Sequence, residues 1–228
     1  RMSPLTKAVN KQLLPLYDKP LIYYPLSVLM LAGIRNILII VNKGQLNQFR
    51  KILPENNNLG IKLQYKEQSK PRGLPDAFIL GEKFIEKDKV ILILGDNFFY
   101  GQSLTQALKQ SSNLKKGAQI FLHPVKKPNL YGVATVGKNN KVVKLVEKPK
   151  KTKSNLAVTG LYYYPNEVLK IYDKLKPSKR GELEITDVNN ILIKKNKVEL
   201  ITFGRGFSWL DMGTFDNLLE TGLFIQTL

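Results

Sequence analysis

Short apolar runs alternate with amphipathic stretches along the first half of the chain. The run Asn36-Ile-Leu-Ile-Ile-Val41 is rich in β-branched residues and has no polar alternation, which is typical of a strand covered on both faces. The other apolar run, over 89–94, has the same character. This half is predicted to contain strands over 36–41, 61–66 and 89–94 and helices over 20–32, 45–52 and 74–85. Strands that alternate with helices indicate an α/β fold with a mainly parallel sheet and right-handed crossovers.

The pattern changes after about residue 117, where strand candidates follow one another closely and Gly, Asn and Pro turns separate them. Here we predict strands over 119–125, 131–136, 141–147, 157–164 and 198–203 and helices over 166–175, 183–194 and 214–225. We interpret this half as a smaller lobe built on a mixed sheet. Because no linker-like stretch separates the halves, we expect a single domain over 1–228, with its parts at about 1–116 and 117–228.

Composition narrows the class of protein. The 228 residues are 43% hydrophobic and 24% charged, which is ordinary for a soluble globular chain long enough to bury a core. There is no cysteine, so disulfides and thiolate metal sites are excluded, and the composition fits a reducing compartment. No apolar run is long enough to cross a bilayer. We therefore expect a cytoplasmic protein with no membrane partner.

The net charge of +18 comes from 36 Lys and Arg against 18 Asp and Glu. A basic surface can bind nucleic acid, can collect small anionic substrates, or can simply be a solvated lysine surface. The basic residues are mostly Lys and are scattered along the chain, whereas base readout favours clustered Arg. We favour the solvated surface, which is compatible with small anions, and expect no nucleic-acid partner.

Two acidic residues are candidates for chemistry. Asp96 stands one glycine after the predicted strand over 89–94, and Asp211 follows a short apolar run and precedes a helix. Carboxylates at strand ends lie where open α/β sheets bind ligands, and they suit a hard divalent cation. Each could equally be a turn or helix-entry residue. A shared cation needs the fold to bring the two together, which their spacing cannot show.

A third candidate is the segment that contains Lys11 and Lys19, whose two prolines predict a rigid extended turn. Fixed cations near phosphates stabilise charge during phosphoryl transfer. Surface lysine is the plain alternative in a chain with this many lysines.

Several motifs together resemble the sugar nucleotidyltransferases, and they stand in that family's order over nearly the whole chain. They are Arg1-Met-Ser-Pro-Leu-Thr6, Lys11-Gln-Leu-Leu-Pro15, Asp18-Lys-Pro-Leu-Ile-Tyr-Tyr-Pro25, Leu94-Gly-Asp-Asn97, Tyr131-Gly-Val133, Glu147-Lys-Pro149, Val158-Thr-Gly160, Arg180-Gly-Glu-Leu-Glu-Ile-Thr-Asp187 and Trp209-Leu-Asp-Met-Gly-Thr214. Any one of these motifs is weak evidence, whereas the ordered set is specific. The motifs that begin at Lys11 and Arg180 point to the thymidylyl-transferring branch.

The resemblance implies a Rossmann-like (GT-A-like) nucleotide-binding domain with a small sugar-binding lobe. It also implies a reaction, in which glucose 1-phosphate attacks the α-phosphorus of dTTP and releases pyrophosphate. The attacking oxygen is already anionic, so no general base is needed, and catalysis rests on positioning and charge neutralisation. Mg²⁺ is the implied cofactor, and a homo-oligomer, a dimer or tetramer, is expected for the full-length protein.

The resemblance also assigns roles to single residues. Arg1 and Lys11 are the implied catalytic residues, because they would stabilise the triphosphate and the leaving pyrophosphate. The nucleotide-binding set is Gln12, Gln68, Gly73 and Asp96. The sugar-binding set is Gly132, Glu147, Lys148, Val158, Tyr162 and Arg180, in which Lys148 and Arg180 hold the sugar phosphate. The implied metal ligands are Asp96 and Asp211.

Three departures from the family pattern bear on these expectations. Arg1 would be the last residue of the family's Gly-Gly-x-Gly-Thr-Arg loop, whose other residues are absent, and longer members continue after Leu228. We therefore expect the first strand with its loop and the C-terminal helices to be missing. The stretch after Gly73 is Leu-Pro-Asp-Ala, where the thymidylyl branch more often has Leu-Ala-Gln-Ala. The alternatives are a uridylyl or other hexose-1-phosphate nucleotidyltransferase and a non-catalytic nucleotide-sugar-binding protein.

Overall fold

The computed structural model describes residues 2–114 and 116–228. The chain divides into two units that interleave along the sequence. The first unit comprises Arg1–Glu67, Ile93–Lys109 and Gly206–Leu228, and the second comprises Gln68–Leu92 and Gln110–Arg205. Helices accompany sheets in both, so the predicted mixed α/β architecture is confirmed.

The elements of the chain as far as residue 68 belong mainly to the first unit. They are β1 (Pro15–Leu16), β2 (Lys19–Pro20), α1 (Tyr23–Leu31), β3 (Asn36–Asn42), α2 (Leu46–Ile52) and β4 (Lys62–Gln68). Short 3-10 helices span Leu5–Lys7 and Lys11–Leu13. The chain leaves α1 through Gly33, whose φ of 79° is the left-handed conformation that glycine adopts without strain. The helix predicted over 20–32 is therefore present and ends before Gly33, as its predicted bounds require.

Between residues 76 and 112 the chain forms α3 (Asp76–Leu80), α4 (Glu82–Ile85), β5 (Val90–Ile93), β6 (Asn97–Gly101) and α5 (Leu104–Ser112). The remaining elements are β7 (Ala118–Pro124), β8 (Gly132–Val136), β9 (Val142–Glu147), β10 (Leu156–Tyr164), α6 (Ile185–Lys194), β11 (Val198–Thr202), β12 (Phe207–Asp211) and α7 (Phe215–Gln226). 3-10 helices span Pro128–Leu130, Lys138–Asn140 and Asn166–Lys174.

In the first unit, the antiparallel pair β6–β12 positions the acidic residues. Its register sets Asp211 opposite Asn97, and the amide of Met212 donates to the carbonyl oxygen of Asp96 at 2.9 Å. The pair is anchored in a small core of Leu16, Leu21, Phe98 and Met212. Two carboxylates that are far apart in sequence thus lie at one end of a two-stranded ladder.

The second unit is built on a six-stranded sheet. Its order is β11-β7-β10-β8-β9, with β5 beside β10. The registers described are parallel for β11–β7 and antiparallel for β10–β7, β10–β8 and β8–β9. The sheet is mixed as predicted, although this part of it is more antiparallel than the mainly parallel sheet that the alternating pattern indicated. Its core includes Phe78, Ile120, Leu145, Tyr164 and Leu192.

Two helix predictions need correction. The segment Asn166–Lys174 is a 3-10 helix, and its buried side chains Val168 and Ile171 are three residues apart, which matches three residues per turn. The helix predicted over 74–85 is broken into α3 and α4 at Gly81, the residue least costly to take out of a helix. The sequence interpretation also missed β6, α5 and β12.

Candidate functional site

A pocket of about 460 Å³ opens in the first unit. Its wall is mostly polar and includes both candidate acidic residues. It is lined by Met2, Thr6, Asn10, Lys11, Gln12, Asn42, Gln45, Asp96, Asp211 and Gly213. Four residues that the sequence singled out, Lys11, Gln12, Asp96 and Asp211, therefore face one cavity.

Asp96 lies in the turn that joins β5 to β6. Its Oδ2 accepts from Lys11 Nζ at 2.5 Å, and its Oδ1 accepts from Asn97 Nδ2 at 3.0 Å. Asn97 is itself fixed, because the buried indole of Trp209 donates to its Oδ1 at 2.7 Å across the β6–β12 ladder. A rigid neighbour and a lysine therefore hold the Asp96 carboxylate toward the pocket.

Asp211 ends β12 and faces the same cavity. Its Oδ1 accepts from the amide of Gly213 at 3.3 Å and from Asn217 Nδ2 at 3.2 Å. Burial, and then the negative charge of Asp96, raise the pKa of Asp211, while these hydrogen bonds and Lys11 oppose the rise. The pocket thus contains two carboxylates that repel each other and Lys11 as their nearby cation, an arrangement that a further cation would stabilise.

The segment around Lys11 is held by its own polar residues. Asn10 caps the 3-10 helix Lys11–Leu13, since its Oδ1 accepts from the amide of Gln12 at 2.9 Å, and its Nδ2 donates to Gln45. The side chain of Gln12 lies over Gly95, where a Cβ would come within 2.9 Å of Gln12 Cγ. A glycine is therefore needed beside Asp96 for Gln12 to reach the pocket.

A second group of predicted residues lies in the second unit, around Arg180. Arg180 donates to both carboxylate oxygens of Glu184, at 2.9–3.1 Å, and Ser178 Oγ donates to Glu184 Oε1 at 2.7 Å. Glu184 is only 8% exposed, whereas the Arg180 side chain is 39% exposed. A buried carboxylate thus anchors a guanidinium whose remaining N–H groups reach solvent.

Glu147 lies beside this guanidinium. Its Oε1 is 3.9 Å from both Arg180 Nη2 and Lys148 Nζ, and its Oε2 accepts from Thr186 Oγ1 at 2.7 Å. Gly132 stands opposite Glu147 in the β8–β9 register, and a Cβ there would lie 3.2 Å from Glu147 Oε2. Four predicted residues, Gly132, Glu147, Lys148 and Arg180, are therefore brought together.

Gln68 belongs to a different network in the second unit. Its Nε2 donates to Asp76 Oδ2 at 2.8 Å, while Tyr172 Oη donates to Asp76 Oδ1 at 3.2 Å and Arg72 Nε lies 3.4 Å from that oxygen. Burial, followed by the hydrogen bond to Asp76, raises the pKa of Tyr172, so its hydroxyl keeps its proton at neutral pH. Asp76 is only 1% exposed and is surrounded by donors.

Gly73 lies between this network and the Arg180 segment. Its backbone bridges to Leu183, and the amide of Leu183 donates to the carbonyl oxygen of Arg72 at 2.8 Å. With φ at 111° and a Cβ position only 2.1 Å from Leu183 O, residue 73 has no room for a side chain. The backbone of Leu183 therefore packs directly on Gly73.

Three predicted residues remain. Arg1 lies outside the described residues. Val158 and Tyr162 are buried on β10 and belong to the core of the second unit. Burial, followed by the charge of Glu147, raises the pKa of Tyr162. Their assignment to a sugar site stays a prediction.

The sequence interpretation missed several polar residues at these sites: Asn42 and Gln45 in the pocket, and Asp76, Thr186 and Glu184 as partners of predicted residues. Three of these carried a signal: Glu184 and Thr186 stand in the motif that begins at Arg180, and Asp76 stands in the stretch that departs from the family pattern. Asn42 and Gln45 occupy ordinary polar positions that no pattern marked.

Over residues 2–114 and 116–228, no three or more Asp, Glu, His or Cys side chains group together as a metal site would require. A cation in the first-unit pocket would thus rest on two carboxylates and on ligands from elsewhere. The helices of the described chain include none with the length and apolarity needed to span a membrane.

Comparisons with known proteins match the whole chain. The family model of the nucleotidyl transferases matches residues 1–227. The chain is 49% identical to a glucose-1-phosphate thymidylyltransferase of Neisseria meningitidis and 46% identical to one of Mycolicibacterium smegmatis, covering 100% of this chain and 79% of each relative.

Solved structures match the same family as the sequence comparisons. A crystal structure from Bacillus anthracis, named as a glucose-1-phosphate thymidylyltransferase and bound to sucrose, superposes with a TM-score of 0.91 at 35% identity and covers 100% of this chain and 91% of that one. A UDP-glucose pyrophosphorylase bound to UDP-glucose superposes with a TM-score of 0.86 at 25% identity, covering 100% and 94%. Sequence motifs, fold and these matches agree, and the chain belongs to the nucleotidyl transferase family.

Proposed function

We propose that this protein transfers a thymidylyl group from dTTP to glucose 1-phosphate, giving dTDP-glucose and pyrophosphate. The observation that carries the proposal is the first-unit pocket, in which Lys11, Gln12, Asp96 and Asp211 come together. Relatives 45–49% identical over the whole chain are named for this activity.

The reaction needs charge neutralisation more than acid–base chemistry. A phosphate oxygen of glucose 1-phosphate forms a bond to the α-phosphorus of dTTP, and the bond from that phosphorus to the bridging oxygen of pyrophosphate breaks. The nucleophile is already anionic and the leaving group is a stable anion, so no proton has to move. The protein contributes fixed cations and donors around the phosphates.

The Asp96 and Asp211 carboxylates fit a Mg²⁺ ion. They face one pocket, they repel each other, and carboxylate oxygens are the ligands that Mg²⁺ prefers. Two carboxylates suffice, because protein-bound Mg²⁺ usually completes its shell with substrate phosphates and water. When bound, Mg²⁺ would neutralise phosphate charge beside the reacting phosphorus. Lys11 would then be released from Asp96 to contact the phosphates.

The second unit would bind the remaining parts of the substrates. Arg180 and Lys148 supply positive charge for the phosphate of glucose 1-phosphate, and Glu184 fixes the Arg180 guanidinium. Glu147 has a carboxylate oxygen that can accept from sugar hydroxyls. Gln68 would contact the thymine base with its amide edge.

A second candidate is transfer of a uridylyl group. The resemblance to UDP-glucose pyrophosphorylase, at a TM-score of 0.86, favours it. Thymine and uracil present the same hydrogen-bonding edge and differ by one methyl group, so the contacts assigned here serve either base. The thymidylyl activity is preferred because the relatives with higher identity are named for it.

The experiment is an assay of pyrophosphate release with glucose 1-phosphate and Mg²⁺. dTTP, UTP, dCTP and ATP are compared as nucleotides, and glucose, galactose and mannose 1-phosphates as acceptors. We expect the highest kcat/KM for dTTP with glucose 1-phosphate and none without a divalent cation. A clear preference for UTP would support the second candidate, and tight nucleotide binding without turnover would indicate a binding protein. We also propose that the protein works in the cytoplasm, which the absence of cysteine supports.

A further inference from the structure

The buried carboxylate of Asp76 has no role in the reaction described above, yet it is among the least exposed charged groups of the second unit. Its two oxygens have different partners. Oδ1 faces Tyr172 Oη at 3.2 Å and Arg72 Nε at 3.4 Å, while Oδ2 accepts from Gln68 Nε2 at 2.8 Å. Oδ1 thus faces the donors of Tyr172 and Arg72, and Oδ2 faces Gln68.

This arrangement fixes which way the Gln68 amide points. A carboxylate oxygen can only accept, so the Gln68 nitrogen must face Asp76 and the oxygen must face away. Gln68 is half-buried, and within the described chain no donor reaches its Oε1. One N–H of Gln68 is used by Asp76. The other N–H and Oε1 are left to contact a ligand.

We propose that Asp76 sets base selectivity by locking the Gln68 amide in this one orientation. The inference rests on the proposed function, in which Gln68 contacts the base. At ring positions 3 and 4, thymine and uracil present a donor and an acceptor, whereas cytosine presents an acceptor and a donor. An amide of fixed orientation matches one order and opposes the other, and a flipped amide matches cytosine.

The substitution Asp76→Asn should reverse the orientation of the Gln68 amide. Arg72 can only donate, so the Asn oxygen stays on the side of Arg72 and Tyr172, and its NH₂ group turns toward Gln68. Gln68 must then flip to present Oε1 to this donor. The flipped amide carries its NH₂ group to the place where Oε1 faced the base. A nearly isosteric substitution of a residue that need not touch the base thus changes the base preference.

The test measures the dissociation constants of dTTP and dCTP by calorimetry, and kcat/KM for both nucleotides. For Asp76→Asn we expect the preference for dTTP over dCTP to fall about tenfold or more, with tighter binding of dCTP than in the wild type. The matched control is Tyr172→Phe. It removes one donor from the same carboxylate but leaves an oxygen facing Gln68, so its preference should equal that of the wild type.

Two further variants keep the outcome decisive. Asp76→Ala removes the acceptor that orients the Gln68 amide but supplies no donor that would flip it, so the preference for dTTP over dCTP should fall by a smaller factor than in Asp76→Asn. This variant tests the inference if Asp76→Asn folds poorly. Gln68→Ala should weaken dTTP binding with no gain for dCTP. An unchanged preference in folded Asp76→Asn or Asp76→Ala, or an equal change in Tyr172→Phe, would overturn the inference. So would a wild-type protein that binds both nucleotides equally. Selective binding of dTTP without turnover would refute the proposed function alone.

Discussion

The carboxylates singled out in the two units differ in their exposure and in their surroundings. In the second unit, Asp76 and Glu184 are almost fully buried, and donors of the chain itself surround each of them. In the first unit, Asp96 and Asp211 face an open pocket and repel each other, which contributes to the raised pKa of Asp211. Carboxylates that the protein's own donors satisfy hold other side chains in place, whereas the repulsion between Asp96 and Asp211, which Lys11 opposes, would favour a further cation in the pocket.

We expect the largest effect from a substitution that removes the charge of Asp96 or of Asp211. Asp96→Asn or Asp211→Asn should lower kcat about 10²- to 10³-fold or more, because the charge that would hold Mg²⁺ at the phosphates is lost. Asp211→Asn should at the same time leave the free energy of unfolding at pH 7 unchanged or higher. It relieves a buried like-charge repulsion and keeps an oxygen for the Asn217 and Gly213 donors.

Pyrophosphate release and urea unfolding measure the two parts of this prediction. The control is Asp216→Asn, an exposed acidic residue of the same unit at the start of α7. Near-normal turnover in either variant would remove the pair from the reaction, and a large loss of stability in Asp211→Asn would show that its charge is satisfied after all.

The next effect concerns the cations of the second unit. Arg180→Ala and Lys148→Ala should each raise KM for glucose 1-phosphate about ten- to a hundredfold, because one charged contact to a phosphate is lost. KM for dTTP should change much less. Initial rates over both substrates test this, with the exposed Lys150→Ala as the control. Equal losses for both substrates would assign these cations to another part of the reaction.

A smaller effect tests the buried anchor. Glu184→Gln replaces an oxygen that accepts from Arg180 with an amide NH₂ group, so the guanidinium is no longer fixed. We expect a rise of about three- to tenfold in KM for glucose 1-phosphate with kcat little changed. Glu182→Gln is the matched control, since Glu182 also contacts Arg180 but is exposed. If the control has the larger effect, the buried carboxylate does not position Arg180.

The smallest effect concerns His123, which burial in the second unit keeps neutral. Burial lowers the pKa of His123 below its ordinary value of 6.5, so the unfolded chain binds a proton more readily than the folded one. The folded state therefore loses stability as the pH falls through the ordinary pKa. Between about pH 7 and pH 5, the free energy of unfolding should fall less steeply in His123→Gln than in the wild type. If the free energy of unfolding depends on pH equally in the variant and the wild type, protonation of His123 does not destabilise the folded state.

Local patterns predicted the strands at Asn36–Asn42 and Val90–Ile93 well, because short apolar runs between turns have few other stable forms. The same patterns missed β6 and β12, since these strands exist through pairing with each other across the chain. That ladder is also what brings Asp96 and Asp211 together, so no spacing rule could have paired them. The hydrogen-bond direction between Asp76 and Gln68 likewise depends on side-chain positions that only the fold fixes.

The contact between Gly73 and Leu183 has a thermodynamic consequence. The segment that carries Gln68 and Asp76 and the segment that carries Arg180 and Glu184 share a backbone bridge with no side chain between them to absorb movement. We therefore expect a ligand that shifts one segment to shift the other as well. If the nucleotide tightens binding of the sugar phosphate through this bridge, the sugar phosphate must tighten binding of the nucleotide by the same factor. One glycine would thus join the affinities of the two proposed substrates into a single coupled quantity.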